Sequence, residues 1–466
     1  MARYRIESDT LGKVRVPAHA YYGAQTQRAI DNFPISGLTL QAPFVVAQAI
    51  IKRAAALANA AAGRLDPEAA DAIVAAADEI IGGKRLDQFK VDVYQAGAGT
   101  SQNMNMNEVL ANRASELLGG RRGDYRRVHP NDHANLGQST NDTIHSAMHI
   151  AAVVETERRL LPAVAALEKS LAKKAAEFDR HVKMGRTHLQ DAVPMRLGQE
   201  FGGWAAMLGL SRARVEASLD GMRELALGGT AIGTGLNAAP GYRRHAIDEI
   251  NRSTNGSFRS AKNLFEAVQS LDAVLAFSGA LRALATNAKK IADDIRLLSS
   301  GPQAGLAEIT IPEVQPGSSI MPGKVNPVMA EMLDMVCFGV FGNDATIHHA
   351  ALAGQLQLNV MMPVVAYRAL DSVQILSAGL DLFTQRCIRG IGANAKTLRR
   401  YAERSGALAT ALSPHIGYNK AAALAKEAVK KNVTVRELAE KKKVLAKAAI
   451  NKALDLRRMT NDPENE

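Results

Sequence analysis

Four short stretches of the sequence combine glycine with hydroxyl, amide or cationic side chains, and each interrupts a chain otherwise rich in alanine and leucine. The densest is GSSIMPGKVNP, Gly317 to Pro327. Its glycines and prolines exclude a regular helix, while Ser318, Ser319, Lys324 and Asn326 offer hydroxyl, ammonium and amide groups suited to an anion rather than to a core. GAGTSQNMNMNEV sets Thr100, Ser101, Asn103 and Asn105 ahead of a helix, and GQSTND sets Ser139, Thr140, Asn141 and Asp142 at the start of another. GRTHLQDAVP adds Arg186, Thr187, His188 and Gln190. Ser, Thr and Asn are also favoured helix caps, so any one stretch taken alone could do no more than cap. Taken together, hydroxyl-rich helix starts present unpaired N–H groups and partial positive charge, which is chemistry for a carboxylate or phosphate. The expected ligand is anionic.

Other ligand classes fit poorly. No GxxxxGK[ST] occurs, and GGTAIGTGLN (228–237) lacks the strand–turn–helix setting of a dinucleotide fingerprint. His129, His133, His145 and His149 lie close in sequence without the cysteine or carboxylate spacing of a zinc site. His145 and His149, one helical turn apart, read first as hydrogen-bonding helix residues. The formal charge of +11 would permit nucleic-acid binding, but aromatics are 5% of the chain and do not alternate with the basic residues, so a solvated helix face is the better reading and no nucleic-acid partner is expected. Only Cys337 and Cys387 occur, which excludes a disulfide framework and suggests a reducing compartment. With no uninterrupted apolar run long enough to cross a bilayer and no signal-peptide pattern in MARYRIESDT, the expectation is a cytoplasmic protein with no membrane partner.

The elements that must position these stretches form a mainly α protein. At 466 residues and 47% hydrophobic content, two or three domains are expected. Residues 1–140 combine an extended arm (ESDTLGKVRVPAHAYYGAQTQRA) with shorter helices. Residues 141–393 carry long helices. Between Asn141 and Phe178 the apolar positions Val153, Leu160, Val164, Leu167 and Leu171 follow the spacing of a helix seam, with Pro162 as a potential kink. Val274, Leu281, Leu284, Ala288, Ile291, Ile295 and Leu298 repeat the pattern between Leu264 and Leu298, and a third long helix is expected from about 360 to 387. Such helices bury their surface only in a bundle, partly against other subunits, so a homo-oligomer is expected. Residues 394–466 return to short helices and an acidic tail.

The polar stretches also carry a resemblance. GSSIMPGKVNP is similar to the signature of the fumarase/aspartase superfamily, and YYGAQTQRAIDNFPISG, GAGTSQNMNMNEVLANRA, GQSTND, KMGRTHLQDAVP, GGTAIGTGLN and GQLQLNV follow in the family's order. The resemblance implies a three-domain fold with a central long-helix bundle forming a homotetramer core, a catalytic loop at about 315–328, and active sites assembled from three subunits. It implies elimination from a small dicarboxylate to give fumarate through an aci-carboxylate intermediate, with Ser318 as the base. Ser318, His188 and Lys324 would be catalytic; Thr100, Ser101, Ser139, Thr140, Asn141, Thr187, Ser319 and Asn326 would hold substrate; Glu331 would support His188. No cofactor or resident metal is required, with a divalent cation allowed as an activator. The wording YYGAQ, GAGTS, QSTND and KNVTVREL resembles aspartate ammonia-lyase, in which Asn141 and Thr100 would hold the ammonium. HPND (His129 to Asp132) resembles a secondary anion site of class II fumarases, the alternative reading.

Overall fold

The computed structural model describes residues 4–461 and is mainly helical. The expected extended arm is an antiparallel hairpin of β1 (Tyr4–Asp9) and β2 (Gly12–Pro17), with Tyr4 opposite Pro17. Then come α1 (Ala24–Asn32), α2 (Ala42–Ala61), α3 (Pro67–Ile81), α4 (Thr100–Leu117), α5 (Thr140–Glu155) and α6 (Leu161–Phe178). A second hairpin, β3 (Val182–Thr187) with β4 (Gln190–Arg196), leads into α7 (Leu197–Met222). Two-residue strands β5 (Glu224–Leu225) and β6 (Arg259–Ser260) flank α8 (Tyr242–Thr254), and α9 (Leu264–Gln269) and α10 (Asp272–Leu298) follow. β7 (Ile309–Thr310) pairs with β8 (Gly392–Ala393), and between them run α11 (Val328–Leu352) and α12 (Met362–Arg386). Five short helices end the described chain: α13 (Ala395–Arg404), α14 (Ser413–Ile416), α15 (Tyr418–Lys431), α16 (Val435–Lys441) and α17 (Lys447–Ala453).

The chain forms two compact units, each built from separated segments. The first takes the chain up to Pro162, Ala213–Ala285 and Cys337–Ser377; the second takes Ala163–Arg212, Thr286–Val336 and the chain from Ala378. In the first unit, Val45, Ala49, Ile73, Ala76, Met106, Val109 and Leu110 bring α2, α3 and α4 into one core. Helix α2 also packs on α5 and α8. Helix α2 is long and apolar enough by composition to pass as a membrane span, yet Lys52 and Arg53 interrupt its apolar run and 72% of that window is buried inside the protein, so its character serves this core. In the second unit Leu408, Leu412, Leu424, Val435, Leu438 and Ile450 close a smaller core around Met184 of β3.

The helix seams read from the sequence are buried throughout, from Val153 to Leu171 and from Val274 to Leu298. Two interruptions have local causes. Ahead of Pro162 the helix widens into a π turn at Thr156–Leu160, which accommodates a ring that has no N–H and crowds the carbonyl four residues back. The second rod breaks between α9 and α10, where Ser270 is extended and its hydroxyl accepts the Asp272 N–H at 3.1 Å, an alternative partner for helix backbone.

Candidate active site

In the first unit two of the polar stretches meet. Thr100 opens α4 behind Gly99, whose φ of +84° suits glycine. Gly97 touches the backbone before α12, since a Cβ there would lie 1.8 Å from the Val360 carbonyl oxygen, and Met362 N–H donates to Gly97 O at 3.0 Å. The GQLQLNV stretch thus buttresses the Thr100 start. Ser139 caps α5: its hydroxyl accepts the Asn141 N–H at 3.2 Å while Asp142 Oδ1 accepts the Ser139 N–H at 3.0 Å. Ser139 therefore performs the capping role that the sequence allowed. Asp142 Oδ2 accepts the N–H groups of Gly228 and Thr230 at 2.9 and 3.0 Å, and Asn141 Nδ2 donates to Ala231 O at 2.7 Å. The glycine-rich 228–237 segment is a brace for α5. Thr140 Oγ1 accepts from Asn103 Nδ2 at 3.2 Å, which joins the two helix starts directly.

Beneath them lies a polar cluster that sequence reasoning missed. Lys52 of α2 is fully buried and donates to Asn135 Oδ1 at 2.9 Å; Asn103 and Asn107 donate to the same oxygen at 3.1 and 3.2 Å. Burial pushes the Lys52 ammonium down to about 7, with the Asp142 charge opposing. Burial likewise raises Asp142 to about 6 against its three backbone donors and Lys52. The one signal in the sequence was a lysine within the apolar run VVAQAIIKRAAALANAA. His145 and His149 each direct one ring nitrogen to a backbone carbonyl, of Ser270 and Glu224, and burial lowers them to about 4 and about 3.

In the second unit, Thr187 ends β3 and His188 and Leu189 form a two-residue turn, both with positive φ (56° and 60°). Two non-glycine residues in the left-handed region are strained, a state that recurs at functional sites. His188 is exposed with no hydrogen-bond partner among the described residues, and no hydrogen bond joins it to Glu331 in the first turn of α11. The hairpin is anchored from within. Lys183 pairs with Glu200 at 2.7 Å and with fully buried Glu308 at 2.9 Å, and Arg186 reaches Glu308 at 2.7 Å. The Glu308 contacts are ion pairs whose alignment falls outside that of hydrogen bonds.

Glu308 immediately precedes β7, at the root of the loop that carries the fourth stretch. There Ser318 Oγ accepts the N–H groups of Ile320 and Met321 at 3.2 and 3.1 Å. Two aimed donors favour a negative oxygen, as a serine base requires. Asn326 Nδ2 donates to Gly317 O at 2.6 Å and closes the loop's base, while a Cβ on Gly317 would lie 1.9 Å from the Lys324 carbonyl oxygen. Ser319 and Lys324 are exposed, and no carboxylate lies within ion-pair distance of Lys324 among the described residues. Among those residues, too, no group of three or more His, Cys, Asp or Glu side chains could hold a metal ion.

Comparison with known proteins places this geometry. Residues 12–342 match the lyase family and residues 408–461 the fumarase C C-terminus family. A class II fumarate hydratase of Bordetella parapertussis is 52% identical over 435 residues, 93% of this chain and 94% of that protein. One of Methylorubrum extorquens is 52% identical over 93% of this chain and 92% of that protein. Among solved structures, fumarate lyase:delta crystallin from Brucella melitensis bound to cobalt superposes with a TM-score of 0.95 at 46% identity, covering 99% of this chain and all of that one. Class II fumarase from Schistosoma mansoni gives 0.95 at 39% identity, covering 98% and 99%. These relatives overturn the reading as an aspartate ammonia-lyase, and with it the assignment of Asn141 and Thr100 to an ammonium. Of the wording behind that reading, Thr140 in QSTND exchanges one hydroxyl donor for another, a change that leaves the donor in place and says nothing of the leaving group, and the YYGAQ, GAGTS and KNVTVREL wordings occur in a chain 52% identical to fumarate hydratases. With both family models matched in order and one fold shared end to end, the chain belongs to the fumarase/aspartase superfamily of lyases.

Proposed function

We propose that the protein is a class II fumarate hydratase, interconverting L-malate with fumarate and water. The observation that carries the proposal is the 52% identity across 93% of the chain to relatives of that name. The Ser318 alkoxide takes a proton from the methylene carbon of malate, and the electron pair passes to the adjacent carboxylate as an aci-carboxylate held by hydroxyl and N–H donors. The pair then returns to form the double bond as the hydroxyl on the neighbouring carbon takes a proton from solvent and leaves as water, and Ser318 returns its proton to solvent. The Ile320 and Met321 N–H groups supply what a serine base needs, and Lys324, with no carboxylate partner among the described residues, is available as a cation for the substrate's other carboxylate.

Thr100, Ser101, Ser139, Thr140, Asn141, Thr187, Ser319 and Asn326 complete the substrate contacts in this reading, with His188 facing the leaving group. A homotetramer with sites shared by three subunits, and the domain division at 140 and 393, belong to the same proposal. The homotetramer is supported by apolar residues that the long helices leave bare in one chain: Leu210 is 68% exposed, Met335 65% and Leu352 69%. Cys337 and Cys387 are buried and form no disulfide, which suits a cytoplasmic setting. The role left to a divalent cation is that of an activator, with no residue assigned to it. The test is ultraviolet absorbance of fumarate: the purified protein should release it from L-malate and not from L-aspartate. Release from aspartate alone, or from neither, would overturn the proposal.

A further inference from the structure

The ammonium of Lys52 has no part in the reaction as written, yet it sits under both helix starts assigned to the substrate. We propose that Lys52 is a positioning residue for the dicarboxylate: its charge, relayed through Asn135, Asn103 and Thr140, sets the affinity of the pocket for a dianion. The inference rests on the proposed function and adds to it a residue that need not touch substrate.

Three observations carry it. First, Lys52 is fully buried, an expensive place for a cation whose role is only to fill space. Second, its compensation is incomplete. Among the described residues its one hydrogen-bond partner is Asn135 Oδ1, and that oxygen is shared by three donors although an amide oxygen has two lone pairs. The charge that acts on it is that of Asp142, which lies beyond ion-pair distance and spends its oxygens on Ser139, Gly228 and Thr230 N–H groups. Third, the cluster has a route to the surface. Asn103 Nδ2 bonds both Asn135 Oδ1 and Thr140 Oγ1, and Asn135, Ser139, Thr140 and Asn141 are half-buried. Two helix N-termini and a buried ammonium thus point one sign of field at one patch. A carboxylate bound over Thr140 supplies the missing negative charge.

The test uses the full-length protein and succinate, a dicarboxylate with nothing to eliminate, as probe. Lys52→Gln keeps a donor for Asn135 without the charge, and Lys52→Met removes both. In each, the succinate Kd by calorimetry and the fumarate KM should rise about tenfold, while kcat stays within about threefold, a split that a merely structural role would not produce. Both constants within twofold of wild type, with only thermal stability altered, would overturn the inference. Should neither variant assemble, Asn135→Asp sets a carboxylate against the ammonium and cancels its charge without emptying the core. It should weaken succinate to a similar degree, and unchanged affinity there also overturns the inference. The proposed function fails separately: wild-type protein that binds succinate but turns over neither fumarate nor malate removes the hydratase reading, while the succinate comparison still decides the role of Lys52. Wild-type protein that does not bind succinate overturns the inference.

Discussion

Asp142→Asn probes the brace behind the second polar stretch, because it keeps the shape of the side chain and removes its charge. The carboxylate accepts three backbone N–H groups, from Ser139, Gly228 and Thr230. An amide offers one oxygen, so at least one buried donor is left facing an NH2 group, a pH-independent penalty of about 1–3 kcal/mol. The pH-dependent part opposes it. Burial raises the Asp142 carboxyl from 3.8 to about 6, so its neutral form stabilises the fold fully below pH 3.8, and that contribution is lost as pH rises through 6. The whole effect is about 3 kcal/mol at 1.36 kcal/mol per pH unit, of which roughly 1.4 kcal/mol falls between pH 5 and pH 8. Asn does not ionise and keeps that contribution at every pH. The deficit of the variant should therefore shrink by about 1.4 kcal/mol from pH 5 to pH 8. Lys52 titrates across the same range, so the pair is also compared in a Lys52→Met background, where the shrinkage should persist. Denaturant unfolding followed by far-ultraviolet circular dichroism at the two pH values reads it. A deficit equal at both, within about 0.4 kcal/mol, would refute the picture of a buried carboxyl titrating near neutrality.

Three further outcomes follow from the second unit. Ser318→Ala should lower malate turnover by about 10²–10⁴-fold or more with the circular dichroism spectrum unchanged, and a residual rate above a tenth of wild type would remove Ser318 from the role of base. Gly317→Ala drives a methyl to 1.9 Å from the Lys324 carbonyl oxygen, so the loop's base must open. Its kcat/KM should fall at least about tenfold while the thermal midpoint barely moves, and wild-type kinetics would show that the closed base is not needed. Leu189→Gly relieves a left-handed residue at φ 60° on an exposed turn and should raise stability by about 0.5–1 kcal/mol; a loss instead would mean that the turn depends on the leucine side chain.

How far the fold could be read in advance follows from where the information is stored. Long seams are written at helical spacing, so the rods spanning 140–178, 264–298 and 362–386 stand close to their expected places, including disruption near Pro162. The Ser270 break was not legible, because one serine inside a periodic pattern signals nothing until its hydroxyl is seen to take the Asp272 N–H. The β3–β4 hairpin was missed for a related reason. Two-residue hairpin turns announce themselves as Asn-Gly or Asp-Gly, and here the turn is His188-Leu189, held in an unfavourable backbone state by the strands on either side.

The site divides in the same way. Hydroxyl and amide groups at helix starts and in the 317–327 loop are visible because glycine and proline punctuate them. The charges behind them are not, since Lys52, Lys183 and Glu308 stand in apolar or unremarkable surroundings and gain meaning only through burial. Glu308 shows what that concealment costs a sequence reading. One carboxylate grips Lys183 and Arg186 on the strand that ends at Thr187, and the backbone leaving Glu308 runs through β7 to Ser318. The hairpin bearing His188 and the loop bearing Ser318 are therefore rooted on a single buried group. If the sites are shared among subunits as proposed, such a root ties residues of different sites together within one chain, a coupling that no motif spacing could have displayed.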